Sequence, residues 1–183
     1  MGIQHGDALR APEAVPRAAA HGAMAASALR ARGVTLRYGD VLALEGADAD
    51  FPVGSMTAII GPNGAGKSTF LKSMLGLLDA TGEVTAFGGP VARALPRIAY
   101  VPQRAAVDWS FPVRVIDVVL MGCYRQTGLL GRIDAAVLGR AKAALARVGM
   151  QDFATRQIGA LSGGQQQRVF LARALAQGAD LYL

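Results

Sequence analysis

The sequence predicts an α/β protein, and three observations predict it. A short apolar run, Met56-Thr57-Ala58-Ile59-Ile60, stands directly before a Gly-rich loop and a helical segment. Segments with a period of two lie before that run, and segments with the 3.6-residue period of a helix lie after residue 115. An apolar run with no alternation reads as a strand buried on both faces, the kind found at the centre of parallel sheets.

Taken in order, residues 1–30 are rich in Ala and Gly and carry no periodic apolar pattern, so they read as a flexible extension. His5 and His21 lie in it and are too isolated for a ligand cluster. Order is expected from about Gly33. Val34-Thr35-Leu36-Arg37-Tyr38 alternates and ends at Gly39-Asp40, a strand and a turn. A second strand is expected over about 42–51 with a bulge at Gly46, followed by a turn at Pro52-Val53-Gly54. The buried strand 56–60, the loop and a helix over about 67–78 come next. Strands are expected at 82–88 and 98–102. Helices are expected at 115–122, at 134–148 with Leu138, Ala141, Leu145 and Val148 on one face and Gly149 as the stop, and at about 164–177. Leu181-Tyr182-Leu183 opens a further strand.

Composition narrows the class. In 183 residues, 52% are hydrophobic, enough for a sizeable core. A spanning helix needs about 20 consecutive apolar residues; the longest uncharged stretch, 51–66, is broken by Pro52, Gly54, Pro62 and Asn63. The one cysteine, Cys123, forms no internal disulfide and suits a reducing compartment. The net charge of +6 comes from scattered residues, 16 of the 19 basic ones Arg, so no nucleic-acid partner is expected. Residues 104–160 hold eight basic and four acidic side chains, a local excess compatible with anionic lipid nearby.

Gly61-Pro62-Asn63-Gly64-Ala65-Gly66-Lys67-Ser68 fits G-x-x-x-x-G-K-[ST] in the strand–loop–helix context that this chemistry requires. Glycines let backbone N–H groups curl around phosphate oxygens, and the helix N-terminus adds partial positive charge. Lys67 is placed to reach the β- and γ-phosphates, and the Ser68 hydroxyl to coordinate Mg²⁺. Further on, Leu161-Ser162-Gly163-Gly164-Gln165 opens the last helix, with Ser162 a natural N-cap.

Together these motifs resemble those of ATP-binding cassette (ABC) ATPases. Gly61 to Thr69 matches the Walker A loop, Tyr100-Val101-Pro102-Gln103 the Q-loop, and Leu161 to Gln165 the signature. Lys67 and Gln103 are 36 residues apart, and Gln103 and Ser162 are 59 apart. The resemblance covers about 33–183. It implies a P-loop NTPase (RecA-like) core with an antiparallel β subdomain and an inserted α-helical subdomain: core at 31–103 and 161–183, helical part at 104–160. It implies ATP with Mg²⁺ as ligands. Tyr38 would stack on adenine; Gly61, Pro62, Asn63, Gly64, Ala65, Gly66, Lys67, Ser68 and Thr69 would hold the phosphates. Gln103 would bind Mg²⁺ and the attacking water. Ser162, Gly163, Gly164 and Gln165 would cap the γ-phosphate of the nucleotide held by a second subunit, in a head-to-tail dimer.

The Asp and Glu that end the last strand in this family, and its switch histidine, have no counterpart; Asp180 stands at the wrong end of the strand. The chain is therefore expected to be a fragment, incomplete at the C-terminus, that hydrolyses almost nothing as it stands. The segment Val107-Asp108-Trp109-Ser110-Phe111-Pro112-Val113 and the helix after it resemble the manganese/zinc/iron importer subfamily. That implies a separate ATPase subunit beside integral-membrane permease subunits, indirectly serving an extracytoplasmic binding protein, at the cytoplasmic face of the membrane. The alternatives are a siderophore- or cobalamin-type importer ATPase, or a soluble ABC protein of repair or translation. No metal cargo site is expected in this chain.

Overall fold

The computed structural model describes residues 26–102, 112–126 and 133–183. Its first layer is a four-stranded antiparallel sheet in the order β2-β1-β3-β4. The long strands β1 (Ser27–Tyr38) and β2 (Val41–Pro52) form a hairpin across Gly39-Asp40, and β3 (Thr81–Ala86) pairs with the other edge of β1. The short β4 (Gly89–Pro90) completes it. The bulge falls where expected: Val34 pairs with Ala47 but Leu36 with Leu44, and the Gly46 N–H bonds the Thr35 hydroxyl at 2.8 Å.

Strand β1 starts at Ser27, earlier than the expected 31–33. The Asp50 carboxylate is the cause. It accepts from the Ser27 hydroxyl and, at 2.8 Å, from Arg30 Nε, tying the start of β1 to the far end of β2. Leu29 and Ala31 are then fully buried. The Ser27 hydroxyl and the Arg30 guanidinium hold the Asp50 carboxyl below the usual carboxylate range. The stabilisation is thus present above the unfolded-state value and lost as pH falls through the lowered one. Asp50→Ala is expected to speed amide hydrogen exchange at Leu29–Ala31 and to leave exchange in the helices unchanged.

The expected buried strand at 56–60 is not one. These residues pair with no strand, Met56 is fully exposed and Ile60 is 88% exposed. A central strand holds its shape through ladders on its two sides, and among the described residues nothing supplies them. The parallel pairing that does form joins β5 (Ile98–Ala99) to β6 (Leu181–Tyr182). It continues through Val101 N–H to Leu183 O at 2.8 Å and Leu183 N–H to Ala99 O at 2.9 Å. The ladder strand β5 is thus shorter than the expected 98–102.

Two apolar clusters organise the molecule. One lies under the sheet, where Leu29, Ala31 and Val34 meet Met74, Leu75 and Ile98. It holds α1 (Lys67–Met74), which ends four residues before the expected 78, where Leu75 caps it and Gly76 takes a left-handed turn. A short helix α2 (Val91–Ala94) covers the same cluster through Ala94.

The other cluster joins α3 (Val115–Gly122), α4 (Ala135–Arg147) and α5 (Gly163–Gln177). Asp134 caps α4 by accepting from Val137 N–H at 2.8 Å. At its other end Gly149 is left-handed; Gly149 N–H bonds Ala146 O and Met150 N–H bonds Leu145 O, which is the Schellman arrangement, and Met150 is fully buried. The buried face of α4 is Val137, Ala141, Ala144 and Leu145; Leu138 and Val148 are half-buried at its margin, so the expected face is slightly rotated. Leu161, Val169, Phe170, Ala172 and Ala176 share this core, so the apolar packing does not divide at residue 160.

The crossing of α3 and α5 leaves no room at Gly122. A Cβ there would stand 2.2 Å from the Arg173 carbonyl oxygen, which is backbone and cannot swing away. Gly122→Ala is expected to cost about 1–3 kcal/mol or more, read as a lowered Tm and urea midpoint.

Candidate nucleotide-binding site

The loop at 61–66 is seated on the β1–β2 hairpin. Gly66 precedes α1 with φ near 79°, a left-handed backbone that favours glycine. A Cβ there would press on Leu44 Cδ2 at 3.0 Å and Ala43 O at 3.1 Å, both on β2. Ala65 N–H closes the turn on Pro62 O at 3.3 Å. Below, Phe70 and Leu71 pack on the sheet cluster and Met74 is buried in it, so the helix carrying the loop is anchored by its far end.

The N-terminus of α1 is built for an anion. No side chain caps its first amides, and no acidic residue stands in its first turn. Its N–H groups and dipole therefore face outward unneutralised. Lys67 Nζ donates to Gly61 O and Pro62 O, both at 2.8 Å, which holds the ammonium across the mouth of the loop. Ser68 is exposed on the first turn beside it, and Asn63, Gly64 and Ala65 are exposed on the rim. Thr69 is half-buried and its carbonyl accepts from Ser73 Oγ at 2.9 Å. A phosphate chain fits this donor set, and a Mg²⁺ bound to it would find the Ser68 hydroxyl.

Tyr38 ends β1 opposite Val41 and is 52% exposed. It belongs to the same hairpin that supports Gly66. Tyr38→Ala is expected to weaken ATP binding by about 1–3 kcal/mol, the range for a lost base–aromatic stack, and Tyr38→Phe to change it little. Calorimetric titration separates the two outcomes.

The segment 161–165 sits elsewhere, on the helical cluster. Ser162 and Gln165 form a capping box: Gln165 N–H donates to Ser162 Oγ at 3.4 Å, and Ser162 N–H donates to Gln165 Oε1 at 2.8 Å. Ser162 and Gly164 are exposed and Gly163 is half-buried. Among the described residues no hydrogen bond joins this segment to the loop at 61–69. The structure thus carries Tyr38 on the hairpin that also supports Gly66, and carries Ser162, Gly163, Gly164 and Gln165 on the helical cluster.

Gln103 lies outside the described residues, as do Trp109 and Phe111. The chain leading to Gln103 is held by the Val101–Leu183 hydrogen bond. Tyr100 and Pro102 line a cleft of about 300 Å³ with Phe170, Arg173 and Gln177, where Gln177 Nε2 donates to Ile98 O at 2.8 Å. Sequence reasoning missed Gln166, which is 2% exposed and donates from Nε2 to Ile158 O at 3.2 Å, bracing the turn before Ser162. Its signal was present: residue 166 shares the α5 face of Val169 and Phe170 at the i+3 and i+4 spacings.

No helix of the described residues is long and apolar enough to cross a membrane. No three His, Cys, Asp or Glu side chains gather among them.

Comparison with known proteins places this geometry. The chain is 54% identical over 158 residues to the zinc transport system ATP-binding protein TroB of Treponema pallidum, covering 86% of this chain and 59% of that one. It is 53% identical over 150 residues to the manganese transport system ATP-binding protein MntB of Bacillus subtilis, covering 81% and 60%. It thus spans about three-fifths of the length of these relatives. Among solved structures it is similar to cbiO1 of Clostridium perfringens, part of an ABC transporter complex, with a TM-score of 0.68, 25% identity and 85% and 64% of the two chains covered. It is similar also to an ATP-binding cassette of an ABC transporter in its ADP conformation, with a TM-score of 0.69, 25% identity and 85% and 67% covered. The family model for ABC transporters matches residues 44–183, and with the loop, the antiparallel sheet and the helical cluster all in place, the chain belongs to the ABC transporter family.

Proposed function

We propose that this protein is the ATP-binding subunit of an importer for a manganese, zinc or iron ion, and that it couples ATP binding and hydrolysis to transport. The observation that carries the reading is the uncapped N-terminus of α1 with Lys67 held across its loop. The relatives' names, one a zinc and one a manganese system, support the cargo class. Mg²⁺ would be held by Ser68 and Gln103 together with phosphate oxygens, and would supply charge neutralisation of the β- and γ-phosphates. Ser162, Gly163 and Gly164 would donate from the N-terminus of α5 to the nucleotide of a second, head-to-tail subunit. Permease subunits would hold the pair at the cytoplasmic face of the membrane and an extracytoplasmic binding protein would deliver the ion. Cargo selection is assigned to those partners.

The test is uptake of radiolabelled Mn²⁺ or Zn²⁺ by cells deleted for the gene and complemented with the intact or the Lys67→Ala form. Restored uptake by the intact form alone is the expected result. Uptake unaffected by the deletion, with ATP binding intact, would remove the transport reading and leave the nucleotide site standing.

A further inference from the structure

Two polar side chains are buried among the described residues, Ser73 and Gln166. Their hydrogen bonds differ in reach. Ser73 Oγ donates to Thr69 O, one turn back on its own helix, as a helical serine ordinarily does. Gln166 Nε2 donates to Ile158 O at 3.2 Å, eight residues back and outside α5. Gln166 shares the face of α5 on which Val169 and Phe170 enter the helical cluster, and Ile158 and Leu161 are buried in that cluster too. Burying a carboxamide among apolar groups has a free-energy cost that leucine or methionine would not have. Packing alone therefore gives no reason for a glutamine here.

Geometry does. The chain leaves the turn Ile158–Ala160, passes through Ser162, Gly163 and Gly164, and enters α5. Its start is fixed, because Ile158 N–H bonds Val113 O at 2.9 Å, beside the bridge between Arg114 and Gln157. Two donors converge on Ile158 O, Leu161 N–H at 3.2 Å and Gln166 Nε2. The first shapes the turn; the second ties that turn to the opening of α5, so one hydrogen bond closes the loop that carries the signature segment. The Ser162–Gln165 capping box holds the exposed end of this loop, and Gln166 holds it from the core. Between them, the N–H groups of Gly163 and Gly164 are first-turn donors with no acceptor within the helix. A glycine has no side chain to anchor it, so the aim of these donors depends on the residues that hold either end.

We propose that Gln166 is a positioning residue for the signature segment: its bond to Ile158 O sets where Ser162, Gly163 and Gly164 present their donors to the nucleotide of a second subunit. The proposal rests on the head-to-tail reading and deepens it, since Gln166 acts from the core through the backbone that it holds. Removing the bond leaves Ile158 O with Leu161 N–H, so the turn keeps one of its two ties and the chain should still fold. What is lost is the link between the turn and the helix.

The test is Gln166→Met, which fills a similar space and cannot donate. The first readout is NMR of isotope-labelled glycine amides. The Gly163 and Gly164 signals are expected to shift and broaden, and those of Gly149 and Gly178, at the far ends of α4 and α5, to stay. The second readout is ATP-driven dimerisation by sedimentation, beside the ATP affinity of the monomer by calorimetry. The dimer association constant should fall about tenfold or more, since one net hydrogen bond corresponds to roughly a factor of five and each dimer holds two such bonds. Monomer affinity should not change. Val137→Ala, a loss in the same cluster on α4, is the control for stability and should leave dimerisation as it was. Unmoved Gly163 and Gly164 signals overturn the proposal. So does dimerisation equal to that of the unaltered chain, or an equal loss with Val137→Ala. An unaltered chain that binds ATP without dimerising overturns the head-to-tail reading, and the partner-facing role of Gln166 with it, even where the glycine signals move.

Discussion

Lys67→Ala is expected to lower ATP affinity at least tenfold, about 1.4 kcal/mol or more. Two losses combine. The ammonium held between Gly61 O and Pro62 O is the one side-chain cation that the described loop supplies, and a charge-assisted bond to phosphate is stronger than a neutral one. The same two bonds also tie the start of the loop to the first residue of α1, so their removal loosens the cradle whose N–H groups remain. Helix α1 itself should persist, because alanine is the best helix former and its anchor is Phe70, Leu71 and Met74 in the sheet cluster. The measurement is calorimetric titration of both forms with ATP, with thermal melting as the control on folding. Equal affinity of the two forms would take the phosphate role from this loop.

What the sequence made legible is what is decided locally. The Gly-rich loop needs left-handed backbone at Gly66 and carries its own helix N-terminus, so a window of eight residues suffices to read it. The caps at Asp134, Gly149 and Ser162 are likewise chain-local, and the ends of α3, α4 and α5 fall within a residue of expectation. The antiparallel hairpin was readable because alternation and the Gly39-Asp40 turn lie side by side in the chain.

What was not legible depends on partners far away in sequence. Ser27 looks like part of an Ala-rich tail until Asp50 reaches back over 23 residues to hold it. The run at 56–60 has the composition of a buried strand, but burial is a property of its neighbours, and the described chain gives it none. The packing of Val169, Ala172 and Ala176 against α3 and α4 likewise joins residues far apart in the chain. The role of Gln103 rests on the family resemblance alone, since that residue lies outside the described structure.

Gly163→Asp is expected to abolish both the ATP-driven dimerisation and the turnover proposed above while the monomer still binds ATP. The substitution is mild for its own helix. Gly163 is the first residue of α5, directly after the Ser162 cap, and the first turn holds no acidic residue. A carboxylate there complements the helix dipole. Its backbone is not left-handed, so a side chain brings no strain of that kind. The loop at 61–69 precedes α1, which packs on the sheet cluster and not on the helical one, and it keeps Lys67, which is why the monomer's affinity should survive. Across a head-to-tail interface the same carboxylate would face the γ-phosphate of the opposite nucleotide. There a donor N–H terminus would become a negative charge in a water-poor space, and repulsion at a few ångströms would outweigh the hydrogen bonds proposed to close such a dimer. Sedimentation with ATP and Mg²⁺ reads the dimer fraction, phosphate release reads turnover, and titration of the monomer reads affinity. Normal dimerisation of the variant would refute the sandwich. Loss of monomer affinity would show that Leu161 to Gln165 serves its own subunit's pocket, and the separation of the two motifs would then have to close within one chain.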